Sequence, residues 1–299
     1  MVVDFHVHST ASDGTLSPRE IAERGKDFAA LALTDHDNCD GVDEFLAAPL
    51  EGSPLRRFSG IELSIEPGEG FHKFHLLGLG VDPTNEGLRA FLRRVLEGRN
   101  ERNERIRANF ARLGIEIAAE DIATYAHGEI LARPHFARWL VLHGYAPDVK
   151  TAFERYLAPT SPAETSCYED RWHPSQEDAI RIVHEAGGLA IMAHPKYWNK
   201  RWKYFGVDFE IAEYGLAQLK EVGLDGVESI YQANTRRENV EFTRIALKLG
   251  YLTSAGSDFH GDNKPSIHVG MEVDEAFIRP LLDRLSCAAK SDGHPPIAV

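Results

Sequence analysis

Cysteine is scarce: Cys39, Cys167 and Cys287 are the three in 299 residues, and they stand far apart. Without a Cys-x-x-Cys pair, neither a disulfide framework nor a zinc-thiolate knuckle is indicated, and a reducing, cytoplasmic compartment is expected. No apolar run reaches the ~18 residues of a membrane span. The chain enters a strand pattern at once, with no basic segment leading into an apolar stretch, so neither secretion nor a membrane span is expected. Cations are the minority charge, since 33 Lys and Arg face 46 Asp and Glu for a net charge of −13. That balance opposes stable binding to duplex nucleic acid and agrees with a clustered acidic site that holds cations. At 43% hydrophobic, the chain can build the core of one large or two ordinary domains.

What is present is histidine, placed with a pattern. In Val2-Val-Asp-Phe-His6-Val-His8 the apolar and polar residues alternate as in a strand, where side chains i and i+2 share a face. His6 and His8 therefore point the same way, and Asp13 follows in a Ser-Asp-Gly turn, which makes half of a metal site. Next, Ser17-Pro18-Arg-Glu20 is a capping box with proline at the first helical position. A helix to about Phe28 and a strand over Leu31–Thr34 lead to Asp35-His36-Asp37. A short helix from Cys39 to Ala47, a strand over Arg57–Ile65 carrying Glu62, and a strand over Phe74–Gly80 bearing His75 come after it. His72, just upstream, reads as a surface or supporting residue. Strands alternating with helices argue for an α/β domain with a parallel sheet, whose ligand sites gather at strand ends.

The texture changes near Asn85. An Arg-rich helix to about Leu113 and three further helical pieces carry no convincing strand, so residues 86–160 read as an inserted helical subdomain. Its Arg-rich face is most simply solvated, because Glu97, Glu101 and Glu104 offset part of the charge. Residues 1–85 and 161–299 then make the α/β domain. In the second part, Leu189–Ala193 is a buried strand ending at His194-Pro195, Gly226–Ile230 is another, and Thr253–Ala255 runs into Gly256-Ser-Asp258-Phe-His260-Gly261.

His6, His8, Asp13, His36, Glu62, His75, His194, Asp258 and His260 thus collect at strand ends. Four to six ligands serve one ion, so this many imply two or three ions sharing carboxylates. Histidine-carboxylate mixtures suit Mn, Fe or Zn better than Mg or Ca, and manganese is favoured.

As a set, His6-Val-His8-Ser with Asp13-Gly14, Thr34-Asp35-His36-Asp37, Gly60-Ile-Glu62, His75-Leu-Leu-Gly78, Ala193-His194-Pro195 and Gly256-Ser-Asp258-Phe-His260 resembles the motifs of the PHP (polymerase and histidinol phosphatase) phosphoesterases. The resemblance is nearest to the subgroup with a helical insert after the fourth strand, which removes the 3'-phosphate of nucleoside 3',5'-bisphosphates and in some cases trims short oligonucleotides. It implies a distorted (β/α)7 barrel with a trinuclear site. One ion would take His6, His8, Glu62 and Asp258, a second Glu62, His75 and His194, and a third Asp13, His36 and His260. Asp13, Glu62 and Asp258 would be the catalytic carboxylates, with a hydroxide between two ions attacking phosphorus. Asp35 and Asp37 would either orient His36 or cap the following helix.

A nucleotide needs further partners. The resemblance supports Arg133 and His135, at a helix start in the insert, facing the site. Lys196, Tyr197 and Trp198 open a segment of interleaved cations and aromatics suited to stacking a base beside a gripped phosphate, unless its aromatics pack on the domain rim. The expected activity is a phosphatase on a small nucleotide. A 5' to 3' exonuclease on short oligonucleotides and a histidinol phosphate phosphatase are the enzymatic rivals, and a metal-binding accessory module is the non-enzymatic one.

Overall fold

A computed structural model describes residues 1–66, 73–125, 131–199 and 202–291. His72, Lys200 and Arg201 fall outside the described residues. Among the described residues nine strands form two sheets. The first contains β1 (Val2–Asp4), β2 (Ala30–Ala32), β3 (Arg56–Phe58) and β9 (Met271–Glu272), ordered β3-β2-β1-β9. The second contains β4 (Gly60–Ile65), β5 (Phe74–Leu79), β6 (Leu189–Met192), β7 (Gly226–Tyr231) and β8 (Leu252–Gly256), paired in that order. The strand expected over 57–65 is two strands broken at Ser59, so its halves belong to different sheets.

The expectation of parallel pairing holds for β1, β2 and β3 and for β6, β7 and β8. It fails at β4, β5 and β6, which pair antiparallel. For β4 and β5 the reason is the connection: parallel neighbours need a crossover, commonly a helix, and the short link between them is too brief for one, whereas β5 reaches β6 through the long stretch that carries α3 to α7. Backbone contacts join the sheets at both edges. Phe5 N donates to Ala255 O and Val7 bridges Phe259 on one side, while His36 bridges Glu62 on the other.

Helices α1 (Pro18–Arg24) and α2 (Val42–Ala47) cover β2, with Ile21, Leu31, Leu33 and Phe45 fully buried between them. The Ser17–Glu20 capping box is present as expected. Helix α3 (Glu86–Arg112) packs its first turns on the second sheet through Leu88 and its last through Ile106 and Phe110 into a separate cluster with α4 (Ala119–Ala123), α5 (Arg133–Leu142) and α6 (Val149–Ala152). That cluster also takes Tyr156 and Leu157, from a π-helical turn at Phe153–Leu157, and Cys167. Helices α7 (Gln176–Glu185), α9 (Phe209–Glu221) and α10 (Arg236–Lys248) cover the second sheet, α8 (Trp202–Phe205) follows β6, and α11 (Glu275–Ser291) fills the space beneath both sheets with Ile278, Leu281 and Leu285.

Candidate metal centre

The chain continuing from β1 is pinned against the end of β8. Asp258 N donates to His6 O at 2.8 Å and His8 N to Phe259 O at 2.9 Å. Beneath it, the buried Asp4 carboxylate accepts from His6 N, Ser257 N and Gly270 N, tying three segments to one group. Burial pushes the Asp4 carboxyl up to about 6 against the pull of those donors. Asp35 does the same for the loop bearing Asp13, accepting from Ser9 N, Ser9 Oγ and Ser12 Oγ at 2.6–2.7 Å. It caps no helix; α2 begins at Val42, with Gly41 as its N-cap.

On this frame the strand-end side chains converge, with Glu62, fully buried, at their middle. Its Oε2 lies 3.2 Å from His6 Nε2, 3.1 Å from His8 Nε2 and 3.0 Å from His36 Nδ1. Its Oε1 lies 2.7 Å from His75 Nδ1 and 3.1 Å from His194 Nε2. Asp258 Oδ1 is 3.4 Å from His8 Nε2 and 3.7 Å from His6 Nε2, and Asp13 Oδ1 is 3.3 Å from His260 Nε2 and 3.9 Å from His36 Nε2. Three overlapping groups have ligand atoms within 4.8 Å of one another: His6, His8, Glu62 and Asp258; His8, Asp13, His36 and His260; and His36, Glu62 and His75.

These atoms fit divalent cations on a physical ground. His6 Nε2, both ring nitrogens of His8, Asp13 Oδ1, His36 Nδ1 and Glu62 Oε2 are buried without a hydrogen-bond partner. Neutral imidazole lone pairs facing carboxylate oxygens repel unless a positive charge stands between them. Protons only partly serve. Burial and the neighbouring His260 and His36 push His8 down to about 4, while for His36 the Glu62 and Asp13 carboxylates outweigh burial and lift it to about 9. Despite burial, the histidines hold Glu62, Asp13 and Asp258 well below the usual carboxylate range. All three non-glycine residues with positive φ among those described belong here: Asp37 at 56°, His194 at 25° and Asp258 at 59°. Strain of this kind persists where the surroundings hold a functional geometry.

A family model described as PHP domain matches residues 4–160. The chain belongs to the PHP family. It is a metal-dependent phosphoester hydrolase. Among PHP relatives, a 3',5'-nucleoside bisphosphate phosphatase from Chromobacterium violaceum is 33% identical over 276 residues, covering 91% of this chain and 92% of the relative. A 5'-3' exoribonuclease from Haemophilus influenzae is 34% identical over 260 residues, covering 86% and 89%. The structure of an amidohydrolase from Chromobacterium violaceum, determined with bound sulfate and no metal, matches with a TM-score of 0.80 at 31% identity over 96% of each chain.

Around the PHP centre the structure adds residues that sequence reasoning missed. Glu228, fully buried on β7, takes His6 Nδ1 at 3.0 Å on Oε1 and His194 N at 2.6 Å on Oε2. Gly256 makes room for it, since a Cβ there would stand 2.1 Å from Glu228 Oε1. A carboxylate inside the apolar run Val227-Glu228-Ser-Ile was the available signal. Lys264 Nζ and Tyr231 Oη both reach Asp258 Oδ2, at 2.6 and 3.1 Å, and neither carries a motif.

The expected substrate residues divide. Tyr197, half exposed, stands beside His194 with ring centroids 5.6 Å apart, at the mouth of a cavity of about 740 Å³ that also reaches His75, Tyr231 and Lys264. Lys196 turns away and donates to Ala233 O at 2.7 Å and Glu238 Oε2 at 3.1 Å. Trp198 is not a free stacking face: it is 5% exposed, and its indole fills the space left by Gly215 in the core under β6, so the rim-packing alternative applies to it. His135 is buried at the start of α5, where Nδ1 accepts from Ala132 N at 3.1 Å. Arg133 is half-buried, 5.2 Å over the Tyr168 ring.

Proposed function

We propose that this protein removes the 3'-phosphate from nucleoside 3',5'-bisphosphates at a site of two or three divalent ions, with manganese as the native metal. The observation that carries the reading is the Glu62 carboxylate, both of whose oxygens face imidazoles of residues from five separate positions in the chain with no other partner for Oε2. The resemblance over 91% of the chain to a nucleoside bisphosphate phosphatase supports the substrate class.

In this reading His6, His8, Glu62 and Asp258 hold one ion, Glu62, His75 and His194 a second, and Asp13, His36 and His260 a third. When bound, the ions supply acidified water and positive charge for the phosphoryl oxygens. The chain's own groups do the rest. Asp258 gives Oδ2 to Lys264 and Tyr231, which leaves Oδ1 turned toward His6 and His8. Lys264 keeps its proton because Asp258 outweighs its burial, so Nζ can donate to a phosphoryl oxygen entering the cavity. Tyr197 offers an exposed face at the mouth for a base. The two sheets, joined at both edges, are taken as one distorted seven-stranded barrel, and residues 86–160 as its cap.

Exonuclease action on short oligonucleotides is the second reading, supported by the relative from Haemophilus influenzae. The test is phosphate release by the manganese-loaded protein from adenosine 3',5'-bisphosphate, histidinol phosphate and a short 5'-phosphorylated RNA, beside Asp258→Asn. Dominant release from the bisphosphate, lowered about 10³-fold in the variant, is expected. Dominant mononucleotide release from RNA, or turnover of histidinol phosphate alone, overturns the proposal.

A further inference from the structure

Asp13 and His260 come from opposite ends of the chain, one in the segment after β1 and the other in the segment after β8, yet Asp13 Oδ1 lies 3.3 Å from His260 Nε2. Just beyond these side chains the two segments are stitched together. Asp262 N donates to Thr15 Oγ1 at 2.9 Å, and Asn263 Nδ2 donates to Asp13 O at 2.5 Å. Gly261, at a φ of 63°, permits the approach, because a Cβ there would collide with Thr15 Oγ1.

The Asn263 amide is turned by a third element. Arg138, half-buried on α5, donates through Nη2 to Asn263 Oδ1. A guanidinium only donates and a backbone carbonyl only accepts, so the amide between Arg138 and Asp13 has one orientation that satisfies both. On either side of Arg138, Ala137 and Trp139 are buried in the separate apolar cluster of the helical region, not in the cores of the sheets. The seating of that cluster is therefore passed to the Asp13 segment through Arg138 and Asn263.

Ligands already held in place bind an ion without a further ordering cost. We propose that Arg138 is a positioning residue: through Asn263 it holds the Asp13 and His260 segments at the spacing of the third cation, so that the seating of α5 sets the affinity of that site. This inference rests on the reading of Asp13, His36 and His260 as ligands of a third ion.

The test is manganese bound per chain, titrated against a chelator, for wild type, Arg138→Met, Asn263→Ala and the double variant. Each single change should weaken one ion about tenfold and leave the others within about twofold. The double variant should match the singles, not multiply to about a hundredfold, because both changes break the same chain of contacts. Arg138→Lys, whose ammonium can still donate to Asn263 Oδ1, should recover part of the affinity and stands in if the methionine variant does not fold. In a His260→Ala background, which removes a ligand of that ion, Arg138→Met should have no further effect. Lys150→Met, on the exposed side of α6, serves as the control and should bind normally. In metal-free protein, hydrogen exchange at the Asp262 amide should be about fivefold faster in Arg138→Met than in wild type.

Metal binding unchanged in both single variants, multiplied losses in the double variant, or equal weakening of every ion overturns the proposal. A raised KM with metal content intact would make Arg138 a substrate contact, which also overturns it. If the wild-type protein takes up no third ion, the three-ion reading fails by itself. Exchange at Asp262 then decides the positioning role separately: faster in Arg138→Met retains it for the two segments, and unchanged removes it.

Discussion

Glu228→Gln tests how the centre is held, because it changes one atom in a place with no slack. Glu228 is fully buried, and its two oxygens serve two donors, His6 Nδ1–H and His194 N–H. Accepting from Nδ1 fixes the His6 tautomer, so that Nε2 presents its lone pair toward Glu62 and Asp258. An amide has a single acceptor oxygen. Whichever way the new amide were turned, its NH₂ would face one of the two donors, and the lack of space beside Gly256 prevents an escape. Losing a charge-assisted bond of this kind costs about 1.5–3 kcal/mol. That corresponds to roughly 10- to 150-fold in an equilibrium constant, in line with the 10- to 100-fold found for groups behind metal-bound histidines. Metal affinity is measured by competition with a chelator and by metal content per chain, with circular dichroism as the folding control. A folded variant that binds manganese within about twofold of wild type would refute the argument that Glu228 sets the His6 tautomer.

Metal-free protein should lose stability as pH rises from 6.5 through about 9, because His36 is protonated in the folded state up to about 9. Its contribution is complete below 6.5 and gone above the folded value; melts in chelator should show a shallower loss in His36→Gln, and an identical slope would refute the assignment. The same proton must leave when a cation binds, so apparent metal affinity should climb over that range and then level off. Trp198→Ala should lower stability by about 3–5 kcal/mol in denaturant unfolding, as a core deletion does. Tyr197→Ala, at a position 52% exposed, should leave unfolding nearly unchanged and raise KM for the nucleotide; the opposite pattern would reverse the two roles.

The candidate ligand types were legible because they ride on local rules. Alternation in a strand put His6 and His8 on one face, a capping box marked α1, and runs of apolar residues ended on His36 and His194. What the chain order could not carry was pairing between distant strands. The antiparallel placement of β5 between β4 and β6 brings distant segments side by side, and it decides that His75 and His194 meet on the same oxygen of Glu62. Lys196 and Trp198 illustrate the same limit from the other side, since residue type suited them to substrate while Glu238 and Gly215, 42 and 17 positions away, drew them into structure.

By itself, then, the amino-acid order determined which histidine and carboxylate groups stand at strand ends and the class of chemistry they suit, because coordination depends on which atoms are offered. Tertiary structure decided which groups support them. Glu228 behind His6, Asp4 under two loops, Lys264 on Asp258 and the arginines around Asp37 come from segments up to 266 residues apart. Their roles arise only when burial strips away water, leaving each buried polar atom to find its partner inside the fold.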